Sequence, residues 1–149
     1  MIDPTDRRIL RVLQRDGRIT NQELARQCHL SPSACFDRVK RLRESGVITG
    51  YAASLDPAKL DLPLLIFVEV VLDRTTMFED FAREIQRISE VLECHMVAGR
   101  FDYLIKARVR DVEAYRAFLG DTLMKIPGVR ETRTHTVLEE VKSTNELPV

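Results

Sequence analysis

Residues 20–46 read TNQELARQCHLSPSACFDRVKRLRESG, and this stretch encodes two helices joined by a very short connection. Thr20 opens a T-N-Q-E capping box, which predicts the start of the first helix. Ser31 and Pro32 suit the N-cap and first turn of the second helix, and Gly46 suits a left-handed exit from it. Only about three residues separate the two helices, so the stretch predicts a helix-turn-helix.

A further helix is predicted before this pair, from Pro4 to about Asp16, with Asp3 as its cap. In all three helices the apolar residues recur at helical spacing, which predicts a shared core. The predicted core residues are Ile9, Leu10 and Leu13, then Leu24, Ala25 and Cys28, then Cys35, Val39 and Leu42. The following VITGYAASLD (47–56) is rich in β-forming residues with Gly50 in its middle, and it predicts a small hairpin, or wing.

Charge divides the chain into two parts. Residues 1–50 carry 10 Lys+Arg and 6 Asp+Glu, a net of +4, whereas residues 51–149 carry 13 and 17, a net of −4. A basic segment joined to an acidic one indicates an N-terminal unit that binds an anion and a C-terminal unit with another role. The linker is predicted at residues 56–63, DPAKLDLP, between a domain at 1–55 and a domain at 64–149.

The second half alternates strands and helices in the order βαββαβ, which predicts a ferredoxin-like α+β domain. The predicted strands are 64–72, 91–98, 101–109 and 129–138, and the helices are 78–89, with Thr76 as its cap, and 111–126. Gly99-Arg100 is predicted as a two-residue hairpin turn. In the second helix Val112, Tyr115, Leu119 and Leu123 are expected to face inward.

The first strand, LLIFVEVVL, is apolar on both faces. Helices cover only one face of such a sheet, so the other face must meet a dry surface. The same face of a second copy is the economical candidate, and we expect at least a homodimer.

The chain resembles the Lrp/AsnC (leucine-responsive, or feast/famine) family in three stretches: LSPSACFDRVKRLRESGVITGY, GRFDYLIKARV and IPGVRETRTHTVLEEVK. The resemblance covers nearly the full chain and is nearer the leucine-responsive than the asparagine-responsive branch. It implies a winged helix-turn-helix domain that binds double-stranded DNA and a second domain that binds a small effector, usually an amino acid. It also implies dimers that assemble into octamers or similar rings.

The basic helix that begins after Ser31 is the expected DNA-recognition helix. Its small N-terminal residues can approach base edges, and its later cations can contact phosphates. Asp37 is discordant: it either accepts from a cytosine amino group or pairs with Arg41, while the head of Arg38 either reaches phosphate or covers the edge of the core. The predicted DNA-contacting residues are Ser31, Ser33, Ala34, Asp37, Arg38, Lys40, Arg41 and Arg43.

An amino-acid effector needs acceptors for its ammonium group and donors for its carboxylate. Gly99 and Arg100 offer backbone N–H groups, and Asp102 offers a carboxylate, although Asp102 as a mere capping side chain of a turn is the alternative. The resemblance implies Gly99, Asp102 and Tyr103 as effector residues. Thr134 and Thr136 on one face of the last strand are consistent with this site, and Met124 is expected to line an apolar part of it.

Other functions are less well supported by the residues. No P-loop, nucleophile elbow or paired-carboxylate pattern is present, so we expect neither an enzyme nor a cofactor. Cys28-His29 and Cys94-His95 lack metal-ligand spacing, and no metal is expected. Three unpaired cysteines, a charged N-terminus and no apolar run of about 20 residues favour a cytoplasmic, nucleoid-associated protein without a membrane segment. The alternatives are a metabolite-sensing accessory protein that regulates an enzyme, and RNA binding by the βαββαβ half.

Overall fold

The structure is a computed structural model that describes residues 1–74 and 77–149. It divides the chain into two compact units, one formed by Met1–Ser54 with Lys142–Val149 and one formed by Leu55–Val141. The chain therefore passes between the units twice. The predicted second domain, 64–149, includes residues 142–149, and the domain limits remain predictions.

The first unit contains helices α1 (Pro4–Arg15), α2 (Asn21–Cys28) and α3 (Pro32–Glu44). All three predicted caps are present: the side chains of Asp3, Thr20 and Ser31 each accept a hydrogen bond from a backbone N–H three residues on. Each cap satisfies one of the N–H groups that a helix start leaves without an intrahelical partner, which is why these polar residues stand where the helices begin.

The three helices pack around a small core of Ile9, Leu10, Leu24, Ala25, Cys28, Cys35 and Leu42. Gly46 follows α3 with φ +76°, the left-handed conformation that favours glycine. The Ile48 N–H then donates to the Leu42 carbonyl at 3.0 Å. The predicted hairpin is wrong, because residues 47–56 contain no strand. This segment runs as irregular chain, and the β-forming residues in it find no second strand within the described residues.

The second unit is a four-stranded antiparallel sheet with helices on one face. A short 3₁₀ helix, Pro57–Leu60, precedes it. Its elements are β1 (Leu64–Leu72), α4 (Phe78–Ile85), β2 (Val91–Met96), β3 (Tyr103–Val109), α5 (Val112–Ala117) and β4 (Val129–Thr136). A π-helical turn, Phe118–Leu123, continues α5. The strand order β2-β3-β1-β4 confirms the βαββαβ prediction.

The core of this unit lies between the sheet and its helices. The inward residues of β1 are Ile66, Val68, Val70 and Leu72, all at most 5% exposed. Phe81 of α4 and Phe118 after α5 pack against them. Val112 was predicted to face inward but is 65% exposed, because α5 begins there and its first turn lies at the surface. The predicted Thr76 cap lies outside the described residues. No helix among the described residues is long and apolar enough to span a membrane.

Candidate nucleic-acid interface and ligand site

The N-terminal turn of α3 presents small polar side chains to solvent. Ser33 is exposed and Ala34 half-buried, and Asp37 and Lys40 are exposed further along the same side of the helix. Ser31 is occupied as the cap, since its Oγ accepts from the Ala34 N–H at 3.2 Å. The tip of α3 is thus narrow enough to approach the edge of a base in a major groove.

Arg38 and Arg41 are held by the carboxylate of Asp6 on α1. The Nη1 of Arg38 donates to Asp6 Oδ1 at 2.8 Å and to Asp3 Oδ2 at 2.6 Å. The Nη2 of Arg41 donates to both Asp6 oxygens, at 2.9 and 2.7 Å. Arg38 and Arg41 thus join α3 to α1, and Arg41 pairs with Asp6 rather than with Asp37. Their predicted contacts with phosphates stay predictions.

This cluster is strongly ionic. The side chain of Asp6 is only 1% exposed, whereas those of Arg38 and Arg41 are 28% and 58% exposed. The Arg38 guanidinium lowers the pKa of Asp3, and the carboxylates of Asp3 and Asp6 raise the pKa of Arg38. Both partners therefore stay charged, and the cations of Arg38 and Arg41 are largely balanced within the unit. Lys40 and Arg43 remain as the outward cations of α3, with Lys40 Nζ 3.9 Å from Glu44 Oε1.

Sequence reasoning missed Asp6 and an aromatic flank of α3. Asp6 is the third residue of α1, where an acidic residue completes a capping box, and its spacing from Asp3 was the available signal. Phe36 is 58% exposed and Tyr51 is 50% exposed. Together with Lys40 and Arg43 they line an open groove beside α3. Nothing in the apolar spacing of α3 distinguishes Phe36 from a core residue, because it stands next to inward Cys35.

In the second unit, the loop between β2 and β3 is longer than predicted and Asp102 anchors it. The predicted two-residue turn at Gly99-Arg100 is wrong, because β2 ends at Met96 and β3 begins at Tyr103. The Asp102 N–H donates to the Val70 carbonyl at 2.9 Å, and Asp102 Oδ2 accepts from the Leu72 N–H at 2.8 Å. Asp102 thus precedes β3 instead of opening it. Its carboxylate fixes the loop to the end of β1 through the Leu72 N–H, which lies outside the turn named in the capping alternative.

Tyr103 lies in the core. Its side chain is 4% exposed, its ring centroid is 4.6 Å from that of Phe81, and its hydroxyl donates to the Phe78 carbonyl at 3.5 Å. Burial raises the pKa of this phenol. The ring of Tyr103 thus supports the loop from inside, and its implied role as an effector contact stays a prediction. Gly99 and Arg100 are exposed, and the position of a Cβ at Gly99 is open space.

The threonines of β4 share the face of the sheet that carries the helices. Thr132, Thr134 and Thr136 pair with Val70, Val68 and Ile66 of β1. Thr132 therefore lies at the end of β1 to which Asp102 is bonded, and its Oγ1 donates to the Met124 Sδ at 3.7 Å. Thr136 lies four residues along, about 13 Å from Thr132 at the usual strand rise. Met124 and Thr132 are near the Asp102 loop, Thr134 is next, and Thr136 is farthest. The sequence analysis missed Thr132.

No cluster of metal-ligating side chains is found in the described residues. Cys94 is half-buried, and burial raises the pKa of its thiol to about 11, so it remains protonated near neutral pH. Cys28 and Cys35 are buried in the first core, where burial likewise raises their pKa values.

Comparison with known proteins gives a consistent result for both units. Residues 2–49 match the model of the "Winged helix-turn-helix DNA-binding" family, and residues 65–147 match that of the "Lrp/AsnC ligand binding domain" family. The chain is 51% identical to the leucine-responsive regulatory protein of Escherichia coli over 99% of this chain and 92% of that protein.

Two solved structures show the same fold. A transcriptional regulator from Neisseria meningitidis, in complex with L-methionine, superposes with a TM-score of 0.96 and 40% identity over 99% of this chain and 97% of that one. E. coli AsnC superposes with a TM-score of 0.92 and 26% identity over 98% of this chain and 98% of that one. The identity is higher to the leucine-responsive protein than to AsnC, as the sequence motifs predicted.

Proposed function

Since this chain belongs to the Lrp/AsnC family of transcriptional regulators, we propose that it binds specific sites on double-stranded DNA through α3 and responds to an amino acid held beside the Asp102 loop. It is a DNA-binding regulator and not an enzyme. The observation that carries the proposal is the exposed, narrow N-terminal turn of α3, capped by Ser31 and held to α1 by two arginines. We place the protein in the cytoplasm, on the nucleoid.

In the proposed DNA complex, Ser33 and Ala34 meet base edges while Lys40 and Arg43 meet phosphates. Asp37 has no ion-pair partner among the described residues, and it lies on the outward side of α3. A carboxylate there suits the N4 amino group of cytosine, because a carboxylate is an acceptor and phosphates repel it. Two such helices in a dimer would read half-sites about one helical turn apart on one face of the DNA.

In the proposed effector complex, the ligand lies among the loop of Gly99, Arg100 and Asp102 and the side chains of Met124 and Thr132, with Thr134 beyond them. One oxygen of Asp102 is used by the Leu72 N–H, and the other is available for an ammonium group. The exposed loop backbone offers N–H donors for a carboxylate. The L-methionine complex of the Neisseria regulator supports an amino acid as the ligand class. The ligand shifts the assembly through its differential affinity for alternative arrangements.

Asp102→Asn is expected to weaken amino-acid binding by about 10- to 100-fold, because the neutral amide loses a charge-assisted hydrogen bond worth about 1.5–3 kcal/mol. The amide oxygen still accepts from the Leu72 N–H, so the fold is retained. A thermal-shift screen of the twenty amino acids first identifies the ligand, which raises the midpoint of the wild-type protein. Calorimetry then compares the variants.

Asp111→Asn serves as the matched control, because Asp111 caps α5 through the Ala114 N–H and asparagine caps equally well. The control should bind the ligand as the wild type does. An unchanged affinity in Asp102→Asn would show that the ligand lies elsewhere.

The open face of the sheet supports a homodimer as the unit of assembly. Leu65 of β1 is 5% exposed, and Phe67, Val71 and Leu104 are half-buried on the face without helices. Covering these side chains with their counterparts in a second copy removes apolar surface from water. We propose that such dimers assemble further into octamers or similar rings.

Phe67→Lys is expected to shift the protein towards monomers, because each copy would bring a further ammonium group to this face, next to Lys106, the β3 partner of Phe67. Sedimentation velocity at several concentrations measures this shift. Val112→Lys is the control, since Val112 is an exposed apolar residue outside the open face. If both variants sediment as the wild type does, the dimer does not use this face.

A further inference from the structure

Much of the net positive charge of the N-terminal part lies on α1 and the turn after it. Residues 7–18, RRILRVLQRDGR, contain five arginines and one aspartate, a net of +4. This equals the net charge of residues 1–50, so the other residues of that segment, α3 included, contribute equal numbers of acidic and basic side chains. Since α3 itself carries four basic and two acidic side chains, α1 and α3 both contribute to an electrostatic attraction of the first unit for a polyanion.

Three of these arginines form a row on the exposed side of α1. Arg7, Arg11 and Arg15 stand at i, i+4 and i+8, which places them on one side of the helix, and all three are exposed. We call these three residues the arginine stripe. Successive members are separated by about 6 Å along the helix axis. The stripe thus spans about 12 Å, a length over which one DNA strand presents three or four phosphates.

The C-terminal segment of the chain lies along the arginine stripe and brings oxygen atoms to it. Arg15 Nε is 2.8 Å from Glu146 Oε1, and Arg11 Nε donates to the Val149 carbonyl. Between them the Gln14 amide donates to the Leu147 carbonyl at 3.0 Å and accepts from the Leu147 N–H at 2.6 Å. The stripe is therefore arranged to hold a row of acceptors along α1.

These tail contacts are at the surface. The side chains of Arg15 and Glu146 are 72% and 37% exposed. A surface ion pair of this kind contributes at most about 1 kcal/mol. Several DNA phosphates can replace this ion pair with the tail, because each phosphate releases condensed counterions when an arginine binds it. The cations of Arg38 and Arg41 differ from the stripe in this respect. Their carboxylate partner Asp6 is part of α1, so it stays in place when the tail leaves.

We propose that the arginine stripe of α1 is a second DNA-contacting surface, which binds the phosphate backbone independently of sequence. Residues 146–149 compete with the phosphates for the stripe. The proposal goes beyond the reading role of α3 and rests on the proposed function only in taking duplex DNA as the ligand. The stripe supplies affinity for any duplex, and α3 supplies the preference for an operator. The tail lowers the affinity for DNA in general.

The double variant Arg11→Gln/Arg15→Gln in the full-length chain tests the stripe. Its affinity for a duplex of random sequence is measured between 50 and 200 mM salt. The slope of log K against log salt concentration is about −0.9 for each phosphate neutralised, so it should become less steep by about 1.8 for each bound protomer. An unchanged slope would overturn the proposal. Arg7→Gln, which touches no tail residue among the described contacts, should reduce the slope by about 0.9.

Arg83→Gln/Arg87→Gln is the matched control. These arginines have the same four-residue spacing, with Arg83 on α4 and Arg87 in the turn after it, and each has an acidic partner, at 3.3 and 3.1 Å. An equal change of slope in this control would show a general charge effect and would overturn a local site. The wild type separates the two proposals. If the wild type binds no duplex, the proposed function fails. If it binds normally and the stripe variants show an unaltered slope, only the proposal of the arginine stripe is refuted.

Glu146→Lys tests the competition by the tail, because it reverses the charge that faces Arg15. It should bind the random duplex about two- to fivefold more tightly than Glu139→Lys, which makes the same charge change at an exposed residue outside the docked segment. Equal affinities of these two variants would show that the tail does not compete for the stripe.

Discussion

Asp6→Ala is expected to lower the free energy of unfolding by about 3 kcal/mol. This is the largest change in stability that we predict for a single substitution. Asp6 is 1% exposed and accepts hydrogen bonds from both Arg38 and Arg41, so its removal breaks a buried ion pair. Such a loss costs about 3–5 kcal/mol. The lower end applies because the two arginines are partly exposed and regain contact with water.

The measurement is urea denaturation followed by far-ultraviolet circular dichroism, to whose helical signal the three helices of the first unit contribute most. Asp80→Ala is the control, since Asp80 forms one exposed ion pair with Arg83. Its effect should stay within about 0.5 kcal/mol. If Asp6→Ala were no more destabilising than Asp80→Ala, the two arginines would not depend on Asp6 for their position.

Ser33→Glu is expected to reduce operator binding at least about 100-fold while leaving stability unchanged or slightly higher. A carboxylate in the first turn of α3 interacts favourably with the helix dipole, by about 0.3–1 kcal/mol. In the groove, the same carboxylate faces phosphates and acceptor-rich base edges, and like charges brought together cost several kcal/mol. The opposite signs of the two effects separate a contact with DNA from a fault in folding.

The two readouts are a gel-shift titration on operator DNA and the thermal midpoint. Ser54→Glu makes the same charge change at an exposed residue of the same unit outside α3, and corrects for the altered net charge. Equal losses of affinity in both variants would mean that the α3 tip does not enter the groove. The comparison is informative only because Ser33, unlike Ser31, has no capping role to lose.

Local signals predicted the helices of the first unit well. The caps at Asp3, Thr20 and Ser31 are decided by side chains three residues from the N–H groups that they bind, so a short window of sequence contains both partners. The roles of Arg38 and Arg41 could not be predicted in this way. Their carboxylate partner lies 32 to 35 residues earlier in the chain, and only the packing of α1 against α3 brings it near.

The ligand site was predicted less completely, for a related reason. The resemblance implies Tyr103 as an effector residue, and its burial against Phe81 depends on the packing of α4 on the sheet, which no short window of sequence contains. Thr132 was overlooked because its nearness to Asp102 depends on the register of β1 against both β3 and β4. The open loop at residues 97–102 escaped prediction since Gly-X also suits a tight turn, and only the bonds of Asp102 to β1 show where β3 begins.

The contact of Gln14 with Leu147 joins residues 133 positions apart, so it has a consequence for the order of events during synthesis. The α1–α3 bundle can fold as soon as it leaves the ribosome, whereas Leu147 is translated on the order of ten seconds later at the usual elongation rate. Throughout that interval nothing from the C-terminal segment covers α1 of the nascent chain. On the proposal above, the newly made DNA-binding unit exists first in the form with the greater general attraction for nucleic acid, and the tail moderates it only after residues 146–149 have been translated.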